Sequence, residues 1–201
     1  FPAQGRNMTT GAPVKVPGVK QLRGISSNGK VWVGAVKAAD APTEEIEIWD
    51  RSGDKPRLSF RLPDQSAIAD NSLAISASGR WLAARTWSGP VRLWDISGSQ
   101  PRHVRDLAPG DCMDLAFSPD ERTIAAGCQF GRVRLWEVET GQPLPDVWPY
   151  ESGLNWCQRV CFSPDGRLLA AGNNVGVVRV WELTPRKLLA TLSGHLGQTA
   201  A

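Results

Sequence analysis

The strings FSPDGRLLAAG (162–172) and VRVWE (178–182) decide the fold, because both recur upstream at a fixed distance. The second string has relatives in EIEIWD (45–50), VRLWD (91–95) and VRLWE (133–137), and their tryptophans Trp49, Trp94, Trp136 and Trp181 are 45, 42 and 45 residues apart. The first string keeps step, as GISSNGK (24–30), AISASGR (74–80), AFSPDER (116–122) and CFSPDGR (161–167). Ser76, Ser118 and Ser163 each stand 18 residues before their tryptophan, whereas Ser26 stands 23 before Trp49. Two landmarks holding one spacing three times mark a repeat array, with a five-residue insertion in the first copy.

Each unit reads as four short strands. An apolar stretch such as LAFS (115–118) meets a turn of the S-P-D-G kind. There proline presets φ, and glycine accepts the positive φ that reverses the chain. A second apolar stretch leads to another turn, with Gly89, Gly131 or Gly176 five residues before the tryptophan. The tryptophan string is the third strand, rich in Val and Leu. A polar turn (SGSQP, 97–101; ETGQP, 139–143) then leads to a fourth, more polar stretch suited to an outer edge. The insertion is placed at 38–45 (AADAPTEE), as an enlarged surface turn.

FSPDGRLLAAG, VRLWD and SGH (193–195) resemble WD40 repeats over about residues 20–195. The resemblance implies an all-β fold of four four-stranded antiparallel blades, set radially as in a β-propeller. Residues 1–19, without apolar periodicity, read as a linker or tail. The blades are placed at 20–65, 66–110, 111–155 and 156–193, with 194–201 opening a further repeat. Since such propellers usually close with more than four blades, the expectation is an open partial propeller cut from a longer protein. Phe1 in first position points the same way. Its two end faces would leave apolar surface bare and promote self-association. The family's buried Trp–Ser–His–Asp tetrad is incomplete: the Asp position holds Ser88, Phe130 or Val175, and the His position is filled once, by His195.

Composition narrows the function. Apolar residues make up 41% of the 201 and charged residues 21%, which excludes a disordered chain. No uncharged apolar run approaches the ~20 residues of a bilayer span, so no membrane role is expected. The net charge of +3 gives no case for nucleic acid. Arg92, Arg134 and Arg179 make a stripe two residues before their tryptophans, and Lys30, Arg80, Arg122 and Arg167 follow the first turns, but recurring acids accompany them. Nucleic-acid binding through that stripe therefore stays an alternative reading. The two histidines, His103 and His195, supply no hydrolytic triad. No phosphate-cradling glycine motif is present, so no cofactor or small-molecule ligand is expected. Asp120 and Asp165 read as turn residues rather than a metal site. Cys112, Cys128, Cys157 and Cys161 lack metal-site spacing and read as four buried free thiols, which favours a reducing compartment such as the cytoplasm.

The remaining aromatics point to a partner. In an up-and-down meander, the turns between second and third strands share a rim with the connections between blades. That rim collects Trp87 and Phe130 from the first kind of turn, and Trp148, Tyr150 and Trp156 from the second. Tryptophan and tyrosine are enriched in binding hot spots. The reading is a non-enzymatic scaffold that docks a protein, or another domain of its own parent chain, on this rim. The alternative is the regulatory or substrate-docking part of an enzyme whose catalytic domain lies elsewhere.

Overall fold

The serine and tryptophan landmarks bracket four β-meanders. The computed structural model describes residues 4–6, 13–15, 21–36, 45–52, 57–61, 68–86, 90–108, 111–148 and 156–193. Within the 1–19 stretch, β1 (Gln4–Arg6) and β2 (Pro13–Lys15) pair as a short hairpin. Sheet one holds β3 (Gln21–Ile25), β4 (Val31–Val36), β5 (Glu45–Asp50) and β6 (Arg57–Arg61). Sheet two holds β7 (Ile68–Ile75), β8 (Trp81–Thr86), β9 (Val91–Asp95) and β10 (Arg102–Ala108). Sheet three holds β11 (Cys112–Phe117), β12 (Thr123–Cys128), β13 (Val133–Glu137) and β14 (Pro143–Trp148). Sheet four holds β15 (Cys157–Phe162), β16 (Leu168–Asn173), β17 (Val178–Leu183) and β18 (Arg186–Leu192). Every sheet is an antiparallel meander in sequence order. The described residues contain no α-helix, only a 3-10 turn at Gln129–Gly131. The insertion expected at 38–45 falls largely outside the described residues, which resume with Glu45.

The landmark serine latches the first hairpin of each sheet. The hydroxyl oxygens of Ser26, Ser76, Ser118 and Ser163 accept the N–H groups of Val31, Trp81, Thr123 and Leu168 at 2.9, 3.1, 2.9 and 2.9 Å. In the S-P-D copies the aspartate braces the same turn. Asp120 accepts the Ser118 hydroxyl and the Arg122 N–H, and Asp165 accepts the Ser163 hydroxyl and the Arg167 N–H. The serine hydrogen bonds hold both carboxyls below the usual range. Glycine occupies the left-handed turn position at Gly29, Gly79 and Gly166, with φ of 71, 82 and 71°. The exception is Glu121, at φ 61°. Its carboxylate reaches the next sheet and accepts the Ser78 N–H and hydroxyl, so a strained turn residue serves as an inter-sheet tie.

Register is the same in all four sheets. Ile25–Trp32–Trp49, Ile75–Leu82–Trp94, Phe117–Ile124–Trp136 and Phe162–Leu169–Trp181 are matching rows across the first three strands. This side is termed the front. One residue along lies the back row: Gly24–Val33–Ile48, Ala74–Ala83–Leu93, Ala116–Ala125–Leu135 and Cys161–Ala170–Val180. Because side chains alternate along a strand, this fixed register gives each sheet one tryptophan-bearing face and one face of smaller aliphatics.

The sheets stack front to back. Val33, Ile46 and Ile48 behind sheet one pack with Leu82, Ala84 and Trp94 in front of sheet two. Ala83, Val91 and Leu93 behind sheet two pack with Leu115, Ile124, Ala126 and Trp136 in front of sheet three. Ala125, Val133 and Leu135 behind sheet three pack with Val160, Leu169, Ala171 and Trp181 in front of sheet four. Burying one such aliphatic side chain stabilises by roughly 1.5–3 kcal/mol, so these three interfaces hold the fold. Among the described residues, no such packing joins sheet one to sheet four. The stack is an open arc.

Polar groups at the interface between sheets three and four tighten it. Asp114 is buried on β11, accepts the Val160 N–H of β15 at 2.9 Å, and lies 3.6 Å from the Arg159 guanidinium. Burial pushes its carboxyl above the usual range, against the pull of the Val160 N–H and Arg159. Between the ordinary carboxylate pKa of about 4 and this raised value, the folded state holds more proton than the unfolded one, so stability falls as pH rises. Asp114→Asn keeps an oxygen for the Val160 N–H and removes that ionisation. Urea titrations from pH 4 to pH 7 are expected to show a downward stability trend in the wild type that is shallower in the variant; equal slopes would contradict the assignment.

The cysteines correct the sequence reading. Cys112 and Cys128 occupy directly paired positions on β11 and β12 and are joined in a disulfide. A 16-residue separation does not disclose that strand register sets two thiols side by side. Cys157 is buried and free, its thiol pushed up to about 12 by burial and then by the Asp114 charge. Cys161 is free and exposed, on the back of sheet four. The expectation of four buried free thiols therefore holds for Cys157 alone.

Candidate protein-binding rim

The turns of a meander divide between two rims. On one lie the serine-latched hairpins and the turns after the tryptophan strands. This rim is polar and built of charge pairs: Arg80 lies 3.4 Å from both Asp95 and Glu139, and Arg167 lies 3.7 Å from Glu182. Between sheets one and two it opens a notch of about 470 Å³ lined by Lys30, Asp50, Ser52, Arg80 and Ser97 among others. The stripe arginines are no open basic strip either. Arg92 lies 3.8 Å from Asp106 and Arg134 lies 3.3 Å from Asp111, and both side chains are largely covered. His103 contacts Trp94 edge-on and shares a 2.9 Å hydrogen bond with Asp106.

The other rim gathers the turns between second and third strands and the connections between sheets. A hydrogen bond from the Gln129 N–H to the Asp111 carbonyl ties the β12–β13 turn to the entry of β11. In sheet four, the Trp156 N–H donates to Asn174 Oδ1 at 2.8 Å, and the Asn174 N–H donates back to the Trp156 carbonyl at 3.0 Å. Asn173 is buried, and its Oδ1 accepts the Val175 and Val177 N–H groups, fixing the β16–β17 turn. These ties hold out three apolar side chains. Phe130 is 37% exposed, Trp156 40% and Val175 52%, on a rim whose neighbouring core tryptophans are almost fully buried. The Gln129–Gly131 turn packs against β15, which begins one residue after Trp156, so the Phe130 turn and Trp156 are neighbours.

Phe130 sits at φ 59°, ψ 29°, followed by Gly131 at φ 66°. A left-handed conformation costs a non-glycine residue roughly 1–2 kcal/mol, and here it turns a large apolar side chain toward solvent. Of the five aromatics expected on this rim, Phe130 and Trp156 lie on it and are exposed. Trp148 ends β14 opposite Val133, at the same end of sheet three. Trp87 and Tyr150 lie outside the described residues. Val175, placed from sequence only at the tetrad's aspartate position, was not read as a rim residue, and neither were the asparagine braces Asn173 and Asn174; the Asn-Asn pair ahead of a glycine turn is the signal that would have found them.

The family model of the WD domain, G-beta repeat, matches residues 100–137 and 152–182. Each match ends on a tryptophan strand, and the first starts at the outer strand of the preceding sheet. Residues 100–137 and 152–182 match WD40 repeats. The matched repeats and the register shared by all four sheets establish the all-β, open partial propeller that the resemblance implied. Because the first matched WD40 repeat straddles two blades, its outer strand binds consecutive blades covalently as well as by packing. No curated protein matches the chain. WD40 repeats generally serve as scaffolds for protein interaction. Phe130 and Val175, which stand in the tetrad aspartate's place, are exposed on the rim.

Proposed function

We propose that this WD40 arc is a non-enzymatic docking scaffold, and that it binds a protein, or another domain of its own parent chain, through the rim of Phe130, Trp148 and Trp156 with Trp87 and Tyr150. The observation that carries this reading is the exposure of Phe130 and Trp156 on braced turns, where aromatic residues would otherwise be expected in the core. Val175 extends the same apolar surface. The opposite rim is polar and self-paired, and the stripe arginines Arg92 and Arg134 are matched with carboxylates, which favours this reading over nucleic acid.

The test is Phe130→Ala and Trp156→Ala, singly and together, against a partner captured by photo-crosslinking from residue 175. A central interface aromatic costs about 2 kcal/mol or more when truncated, some thirtyfold in affinity. The expected result is at least that loss in the double variant, with unfolding unchanged. Unchanged affinity in a folded double variant would overturn the assignment. So would a stability loss of ~3–5 kcal/mol, the mark of core residues.

A further inference from the structure

The turn that carries Phe130 and the turn that carries Val175 hold the same place in sheets three and four, and their backbones are tied alike. Gln129 N–H donates to the Asp111 carbonyl at 2.7 Å, as Asn174 N–H donates to the Trp156 carbonyl at 3.0 Å. Cys128 N–H donates to the Arg132 carbonyl at 2.8 Å, as Asn173 N–H donates to the Val177 carbonyl at 3.0 Å. Cys128 therefore holds Asn173's place, and Cys112, its partner across the strands, holds that of Cys157. In both sheets a register shift follows this pair and sets it apart from the rest of the ladder. What differs is the side-chain brace. Asn173 Oδ1 accepts the Val175 and Val177 N–H groups. Cys128 makes no such hydrogen bond to its turn, and its sulfur is joined to Cys112. One turn is braced by an amide, the other by a bond that two electrons break.

We propose that the Cys112–Cys128 bond is a redox switch on the Phe130 turn, opened by a dithiol reductant. A thiolate of the reductant attacks one sulfur, breaks the S–S bond and forms a mixed disulfide. Its second thiolate then displaces the cysteine, so the reductant leaves as a disulfide and its two protons end on Cys112 and Cys128. Both sulfurs are buried, but their pair ends the sheet at the rim beyond the register shift, where a local opening exposes them. The folded chain also has an acceptor ready for each thiol. Cys112 Sγ lies 3.7 Å from Asp111 Oδ1, and Cys128 Sγ lies 3.6 Å from the Ala126 carbonyl oxygen. Reduction thus leaves the sheet in place and takes the brace from its last pair. Phe130, held at φ 59° where a side chain is disfavoured, then relaxes toward extended backbone and quits its place on the rim. Trp156 and Val175, on the amide-braced turn, stay. Resting on the docking reading proposed above, reduction weakens binding by removing the Phe130 part of the surface.

Hydrogen exchange of the full chain, oxidised and in dithiothreitol, tests the switch with a control inside the same molecule. The Gln129 and Arg132 amides are expected to exchange about tenfold faster after reduction, with the Val175 and Val177 amides unchanged. The Cys112→Ser, Cys128→Ser double variant is expected to exchange like reduced wild type with or without the reductant. Thiol titration of the unreduced chain after unfolding is expected to count only Cys157 and Cys161. A count that includes all four cysteines would overturn the proposal, as would a bond that resists dithiothreitol in the folded chain. So would two turns that loosen together, or a Phe130 turn that does not loosen at all. Partner affinity in the two states separates the switch from the docking reading: a Phe130 turn that loosens with affinity unchanged sustains the switch and takes Phe130 out of the interface.

Discussion

Trp136→Ala is expected to lower the unfolding free energy by about 3–5 kcal/mol, and Trp49→Ala by only about 1 kcal/mol. The two residues hold equivalent register positions in matching strands. They differ in what lies in front of them. Trp136 packs against the back of sheet two, among Ala83, Val91 and Leu93, and is 5% exposed. Trp49 has no described sheet before it, and its buried Nε1 finds no partner among the described residues. Truncating Trp136 opens a cavity between two packed sheets, whereas truncating Trp49 removes a side chain that is already partly wet. Urea denaturation of both variants checks the difference. Equal losses would mean that the front of sheet one is covered like the others.

A second large effect is expected at Gly127, where sheets three and four approach closely. A Cβ there would stand 2.6 Å from Cys157 Sγ, 3.0 Å from the Cys157 carbonyl oxygen and 3.1 Å from Val160 Cγ1. The carbonyl belongs to backbone and cannot rotate away. Gly127→Val is expected to cost about 3 kcal/mol by forcing the sheets apart, at the upper end of ordinary overpacking. The same separation would stretch the Asp114–Val160 hydrogen bond. Faster exchange of the Val160 amide should therefore accompany the stability loss, and a variant as stable as wild type would contradict the packing.

The sequence showed its repeat because two landmarks with separate structural jobs keep one spacing. The serine latches a hairpin, and the tryptophan fills an interface. Each job tolerates few other residues, so each leaves a mark at a fixed place. The interfaces between sheets were less legible. Asp114 lies in CMDLAF, where nothing local distinguishes a carboxylate that receives an N–H from a residue 46 positions on. The Cys112–Cys128 bond was missed for the same reason: it depends on hairpin register. Glu121 looked like an ordinary departure from glycine in a turn, and its tie to Ser78 spans 43 residues. On the rim, parity of the meander located Phe130 and Trp156, since counting turns needs no tertiary information. Val175 was passed over because a single valine near a glycine turn carries no aromatic signal.

The open front-to-back stack is the central claim, and native-state hydrogen exchange tests it most directly. Among the described residues, sheets two and three have a neighbouring sheet packed on both faces, sheets one and four on one face only. Amides then exchange through local openings whose cost follows the contacts that must be broken. At a dilution that keeps the chain monomeric, β8, β9, β12 and β13 are predicted to be the most protected strands, with β4, β5, β16 and β17 opening earlier. Equal protection of the central strands in all four sheets would show that the end faces are covered within the single chain and would contradict the open arc.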